Sequence, residues 1–219
     1  MTAGVIFDLD GTLVDSAPDI RAAANAALAE RGIAPLTMAE ARGCVGHGAA
    51  VFMERARHLR GVDAALQAPL LEAFLARYEH AVDLTELYPG VLEVLESFAK
   101  RDIPMAVCTN KPIAPTRNVL AHLGLERFFP VVVGGDSLPV RKPDPAPLHH
   151  TIAELGGGWV LYVGDSEVDA ETAQRADVTF ALFTEGYRKT PVGELTHAYA
   201  FDQFEALPGI FEQALGSPN

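Results

Sequence analysis

Apolar residues recur along this chain in two rhythms, and the change of rhythm divides it. Val5-Ile6-Phe7 is a short run of β-formers, the pattern of a strand buried on both faces, and it stops abruptly at Asp8-Leu9-Asp10-Gly11-Thr12. From Ser16 to Leu84 no strand-like alternation occurs. That stretch predicts helices instead. The first is alanine-rich and runs to Arg31, with Ser16 as N-cap, Pro18 in the first turn and Gly32 as the stop. A second, short helix capped by Thr37 reaches Arg42, and helical patterns return over 49–60 and 64–82. Between them, three glycines in Gly43-Cys44-Val45-Gly46-His47-Gly48 break the pattern.

Beyond Leu84 strands and helices alternate. Val91, Leu92, Val94, Leu95 and Phe98 keep helical spacing behind Pro89-Gly90. Strands are expected over 103–109, 131–133, 159–163 and 178–183, with a last short one over 198–201. Helices are expected over 112–123, 145–155 and 167–176, and a closing one over 204–215. The expected class is therefore α/β: parallel βαβ units with an all-helical insert after the first strand. In such open sheets ligands bind at the carboxyl ends of the strands. Four of those ends carry polar residues: Asp8 and Asp10; Thr109-Asn110-Lys111; Asp136-Ser137; and Gly164-Asp165-Ser166. The topology should gather them.

Their chemistry suits phosphoryl transfer. Asp8 is the candidate nucleophile, and Asp10 can protonate a leaving oxygen and then activate water. The side chains of Asp8 and Asp10 point the same way if the strand stays extended, and a hard cation such as Mg²⁺ relieves the repulsion between them. The plain alternative is a strand running into an Asx turn. Thr109 and Asn110 offer donors to phosphate oxygens, and Lys142 supplies a point charge. Lys111 and Arg141 divide evenly between ligand contact and surface. Asp165 stands where a strand has just ended, placed to ligate a metal. Asp169, one helical turn later, can orient Lys142 or hold a metal-bound water. Glu167 reads as a favourable charge at a helix start.

Composition narrows the partners. The chain has 219 residues, 49% hydrophobic and 21% charged, with a formal net charge of −12. Such an acidic balance argues against nucleic acid or an anionic membrane as partner, and an anionic substrate must then be met by local positive groups or a metal. Cys44 and Cys108 have neither disulfide nor zinc spacing; Cys108 reads as core and Cys44 as a residue that can be exposed. No apolar run reaches the ~18 residues of a membrane span, and no basic segment precedes an apolar one at the N-terminus. The expectation is a cytoplasmic enzyme, monomeric or a small homo-oligomer, acting on a small phosphorylated metabolite.

In order along the chain, Asp8-x-Asp10-Gly11-Thr12, Thr109-Asn110, Lys142-Pro143 and Gly164-Asp165-x-x-x-Asp169 resemble the four motifs of the haloacid dehalogenase superfamily. The resemblance spans essentially the whole chain. It implies a Rossmann-like, doubly wound core made of residues 1–15 and 84–219, with residues 16–83 as an inserted helical cap domain. It also implies Mg²⁺ held by the Asp8 carboxylate, the Asp10 backbone carbonyl and Asp165, and an aspartyl-phosphate intermediate. The acid at Asp10, which the dehalogenases lack, points to phosphoryl transfer. More narrowly, the stretches 11–19, 45–49, 88–91, 109–112 and 135–139 resemble the bacterial phosphoglycolate phosphatase branch, which implies 2-phosphoglycolate as substrate. Within it, Gly46-His47-Gly48 is the expected cap contact, with His47 or Arg42 paired to a small carboxylate. Phosphatases of sugar phosphates or nucleotides and a phosphosugar mutase share the scaffold and stay open, as does a receiver-like signalling module.

Overall fold

The structure, a computed structural model, describes residues 3–216. Among them a six-stranded sheet is built from β1 (Ala3–Phe7), β4 (Met105–Cys108), β5 (Val131–Val133), β6 (Trp159–Gly164), β7 (Thr179–Phe183) and β8 (Tyr199–Phe201). All pairings are parallel and the order is β5-β4-β1-β6-β7-β8, so the first strand stands in the middle. Alternation along β1 explains its place: Val5 and Phe7 enter one hydrophobic cluster and Ile6 the other. Helices α5 (Val91–Lys100), α6 (Ile113–His122), α7 (Ala146–Glu154), α8 (Glu167–Ala176) and α9 (Leu207–Gly216) supply the crossovers and the closing element. The α/β class and the alternation read from the sequence hold, with strand and helix ends shifted by up to three residues.

The segment after β1 is helical as expected: α1 (Ala17–Ala29), α2 (Met38–Cys44), α3 (Ala49–Leu59) and α4 (Gln67–Tyr78). It packs around its own cluster, which includes Leu28, Leu36, Met53, Leu70 and Phe74. Thr37 closes a full capping box with Glu40 at the start of α2. Two expectations need correction. Cys44 is buried in this cluster, because it lies on the inner face of α2. Ser16 precedes α1 without capping it: its hydroxyl donates to Asp10 Oδ1 at 2.5 Å instead.

The joint between the two parts was not foreseen. The chain leaves and re-enters the sheet region through a two-residue antiparallel ribbon, β2 (Val14–Asp15) with β3 (Glu86–Leu87). Two-residue strands carry no periodicity to read. Tertiary bonds define them: Tyr88 N–H donates to Leu13 O at 3.1 Å, and Asp19 accepts from the Leu84 N–H at 3.0 Å and the Thr85 hydroxyl at 2.6 Å.

Candidate active site

Parallel register sets the site. Phe7 lies opposite both Val107 and Val163, so the chains leaving β1, β4 and β6 begin their loops side by side. Asp8 N–H still donates to Val163 O at 2.9 Å, and Thr109 N–H to Val133 O at 3.0 Å. Asp8, Thr109, Asn110, Lys111, Lys142, Asp165 and Asp169 are all buried at the sheet edge, which gathers three of the four polar strand ends; at the fourth, Asp136 instead accepts from the Ile113 N–H at 2.7 Å, at the start of α6.

A lysine organises the centre. Lys142 Nζ donates to Asp169 Oδ1 at 2.7 Å and to the Tyr162 oxygen at 2.8 Å, and lies 3.0 Å from Asp8 Oδ1. That last approach falls off the hydrogen-bonding directions, so Asp8 Oδ1 is a buried acceptor without a hydrogen bond. Asp169 does two jobs. Its Oδ1 takes Lys142 and Tyr162, while its Oδ2 takes the Ser166 hydroxyl at 2.6 Å and completes the capping box that starts α8. Burial works to raise the Asp169 carboxyl, but Lys142 and these hydrogen bonds hold it below the usual range. Burial pushes Asp8 up to about 6, with Lys142 pulling down and Asp169 and Asp10 pushing up. Asp165 is raised well above the usual range, by burial first and then by Asp169 and Asp8.

Asp165 is gripped from three sides. Thr12 donates its hydroxyl to Oδ1 at 3.1 Å, and the Tyr187 N–H donates to Oδ2 at 2.5 Å. Gly11 has φ +90°, and a Cβ there would stand 2.5 Å from Asp165 Oδ2; a Cβ on Gly186 would stand 2.3 Å from it. Gly11→Ala is therefore expected to combine backbone strain with a displaced carboxylate. The measurement is a divalent-ion titration by calorimetry, with weakened binding expected and unchanged affinity contradicting the account.

Carboxylate oxygens of Asp8, Asp165 and Asp169 lie within 4.8 Å of one another. Such a buried acidic cluster, with Asp8 Oδ1 left without a hydrogen bond, fits a hard cation that takes oxygen ligands. Asp169 is already spent on Lys142, Tyr162 and Ser166, which leaves Asp8 and Asp165 as the donors, each Asp165 oxygen keeping one lone pair beyond its single bond from Thr12 or Tyr187.

Asp10 sits beside this centre in separate company. Its Oδ1 accepts from Ser16 at 2.5 Å and from Lys111 Nζ at 3.1 Å. Asn110 donates from Nδ2 to Gly46 O at 3.0 Å and Lys142 O at 2.9 Å, which tethers the glycine turn of the helical segment to the core. Gly46 and Gly48 line the cavity next to Asp8 and Asp10, while His47 does not. Arg42 also stays outside it: its Nη2 pairs with Asp15 Oδ2 at 2.7 Å, and its guanidinium lies over the Tyr187 ring. Neither residue stands where the sequence placed the reader of a small carboxylate.

Two residues of the site, Tyr162 and Tyr78, escaped the sequence, whereas Gly186-Tyr187, after the strand over 178–183, reads there as either a border of the site entrance or packing. Tyr162 is hidden inside the apolar run of β6, and only a tyrosine in a buried strand hinted at a polar partner. Tyr78 ends α4 and reaches Lys111. Tyr187 links Asp165, through its N–H, to Asp15, through its hydroxyl at 2.6 Å.

A parallel α/β sheet with paired aspartates, a buried lysine and further acids at its strand ends defines a class of hydrolase. The haloacid dehalogenase-like hydrolase family matches residues 5–183, and the chain belongs to that family. A phosphoglycolate phosphatase of Cereibacter sphaeroides (strain ATCC 17029 / ATH 2.4.9) is 50% identical, covering 97% of this chain and 99% of its own. One from Rhodospirillum rubrum is 43% identical over 94% of this chain and 90% of its own. A crystal structure from Haemophilus somnus 129PT, described as a predicted phosphoglycolate phosphatase, superposes with a TM-score of 0.90 at 30% identity, covering 95% and 97% of the two chains. Among the described residues no helix is long and apolar enough to cross a membrane.

Proposed function

We propose that this enzyme hydrolyses 2-phosphoglycolate to glycolate and phosphate through a phosphoaspartate on Asp8, with Mg²⁺ as its metal and residues 16–83 as a cap. Hydrolysis of a phosphoric monoester follows from the family and from relatives that match over almost the whole chain. The observation that carries the finer reading is the chain Asp8–Lys142–Asp169, with a second carboxylate, Asp10, held apart from it by Ser16 and Lys111.

The two acids divide the work. An Asp8 oxygen forms a bond to phosphorus as the bond from phosphorus to the leaving oxygen breaks, and Asp10 gives that oxygen a proton. Water then attacks the phosphorus, Asp10 takes its proton, and Asp8 is freed with inorganic phosphate. Lys142 and the Thr109 hydroxyl, which accepts from the Lys111 N–H at 3.2 Å and keeps its own hydrogen, face the phosphoryl oxygens. Mg²⁺, when bound by Asp8, the Asp10 carbonyl and Asp165, neutralises charge on those oxygens.

The cavity beside Asp8 and Asp10 has a volume of about 40 Å³, room for a few waters. Substrate entry therefore requires the cap to swing away, releasing Asn110 from Gly46 and Lys189 Nζ from Val45 O. Closure then excludes water from the reacting phosphorus.

Phosphate release tests the reading. The panel is 2-phosphoglycolate, glucose 1-phosphate, glucose 6-phosphate and nucleoside monophosphates, each with Mg²⁺ and with EDTA. The expected result is a kcat/KM for 2-phosphoglycolate far above the rest, abolished by EDTA. Metal-dependent release with another preference overturns the substrate and keeps the mechanism. Conversion without free phosphate overturns hydrolysis in favour of a mutase.

A further inference from the structure

The helical segment brings a hydroxyl, and the core an ammonium, to the part of the cavity that a leaving group fills. Lys111 follows the end of β4 and Tyr78 ends α4. Lys111 Nζ donates to the Tyr78 oxygen at 2.8 Å and to Asp10 Oδ1 at 3.1 Å, and it stands 4.3 Å from the centre of the Tyr78 ring. Both residues are buried.

The rest of the wall makes this pair conspicuous. Among the described residues lining the cavity Lys111 is the one cation, and the cap side is apolar, with Ile20, Val45, Phe52 and Phe74. The nearby cations are engaged elsewhere: Arg42 with Asp15, Arg141 with His47 O, and Lys189 with Val45 O. An ammonium has three donors, and two are in use here. The Tyr78 hydroxyl accepts from Lys111 and so retains its own hydrogen to give. Burial holds that phenol neutral.

We propose that Lys111 and Tyr78 form the subsite for a carboxylate on the leaving group, in place of Arg42 and His47, and so select short acidic leaving groups. The inference rests on the phosphatase reading above and names the group this pair reads. A carboxylate beside Lys111 takes a charge-assisted hydrogen bond and the phenol's hydrogen. A neutral leaving group of the same size leaves both donors facing an apolar wall, and an amino group meets a like charge.

The test compares 2-phosphoglycolate with ethyl phosphate and phosphoethanolamine in the wild-type enzyme, Tyr78→Phe and Lys111→Met. Its readout is the ratio of kcat/KM for 2-phosphoglycolate to that for ethyl phosphate. Lys111 also touches Asp10, so Lys111→Met is expected to slow every substrate, and the ratio cancels that common loss. The ratio is expected to fall about 10-fold in Tyr78→Phe, mostly through KM, and about 100-fold in Lys111→Met. An unchanged ratio in both variants overturns the proposal and leaves Lys111 as a positioning residue for Asp10. Should Lys111→Met not fold, Tyr78→Phe decides alone. A wild-type enzyme that does not prefer 2-phosphoglycolate to ethyl phosphate overturns the substrate reading itself. A wild-type preference that survives both changes overturns only this subsite.

Discussion

Asp8→Asn is expected to lower turnover by at least ~10⁴-fold while leaving the fold intact. The amide has the carboxylate's shape but not its nucleophilic oxygen. Its amide oxygen can still face the Lys142 ammonium, where the carboxylate now lies 3.0 Å away, but without the negative charge. Stability should move the other way. Burial raises the Asp8 carboxyl from its ordinary 3.8 to about 6, so the folded protein holds that proton more tightly than the unfolded chain. Asp8 therefore contributes stability below about pH 4 that is lost as pH rises through about 6. The metal-free wild-type Tm should fall across that window, and Asp8→Asn should flatten the fall. Asp165, raised in the same sense, leaves a residual slope. Added Mg²⁺ should raise the wild-type Tm at pH 8 and raise the variant's much less, because one of the two donors is gone. Phosphate release, melting curves at pH 5 and pH 8 with and without Mg²⁺, and a mass check against deamidation decide it. Turnover near wild type in a verified Asp8→Asn protein sinks the nucleophile assignment.

What the sequence could and could not show follows from which forces place each residue. The residues at strand ends were legible because a parallel sheet has one geometry: once β1, β4 and β6 are recognised, Asp8, Thr109 and Asp165 must be neighbours. Lys142 and Asp169 were legible as types, and their pairing as one of the two roles open to Asp169. Their contact depends on the loop before α7 and on a capping box that turns Asp169 inward. Tyr162 was illegible, since a tyrosine inside an apolar strand looks like any other large core residue until its hydroxyl partner is known. The leaving-group side was less legible for a different reason. Arg42 and His47 lie in the expected region, but side-chain direction across an interface between two packed parts has no local signature. Asp15 lies within reach of Arg42 and takes its charge, whereas Lys111, left undecided between surface and ligand, turns out to be buried against Tyr78.

Lys142→Met is expected to cost on the order of 3–5 kcal/mol, the range found when one partner of a buried ion pair is removed. Three carboxylates, Asp8, Asp165 and Asp169, converge within 4.8 Å, and Lys142 is the cation in direct contact with two of them. Burial alone would lower the Lys142 ammonium's proton affinity, yet Asp169 and Asp8 more than reverse this and hold it charged. Methionine fills the same volume and supplies no charge, so the loss is electrostatic rather than a cavity effect. For a chain of this length the expected drop in Tm is roughly 10 °C, taking 2–4 °C per kcal/mol. Two further variants separate charge from geometry. Lys142→Arg keeps the charge but replaces three tetrahedral donors with a planar fork in a fully enclosed site shared with Tyr162, so it should recover part of the stability and little turnover. Asp169→Asn added to Lys142→Met removes one of the stranded charges, so the double variant should be more stable than Lys142→Met alone. Mg²⁺ should raise the Tm of Lys142→Met more than that of the wild type, because an acidic cluster without its lysine gains more from a divalent ion, while turnover stays lost. Equal melting temperatures for wild type and Lys142→Met, without metal and at pH 8, would show that the lysine serves the phosphoryl group alone and does not hold the cluster together.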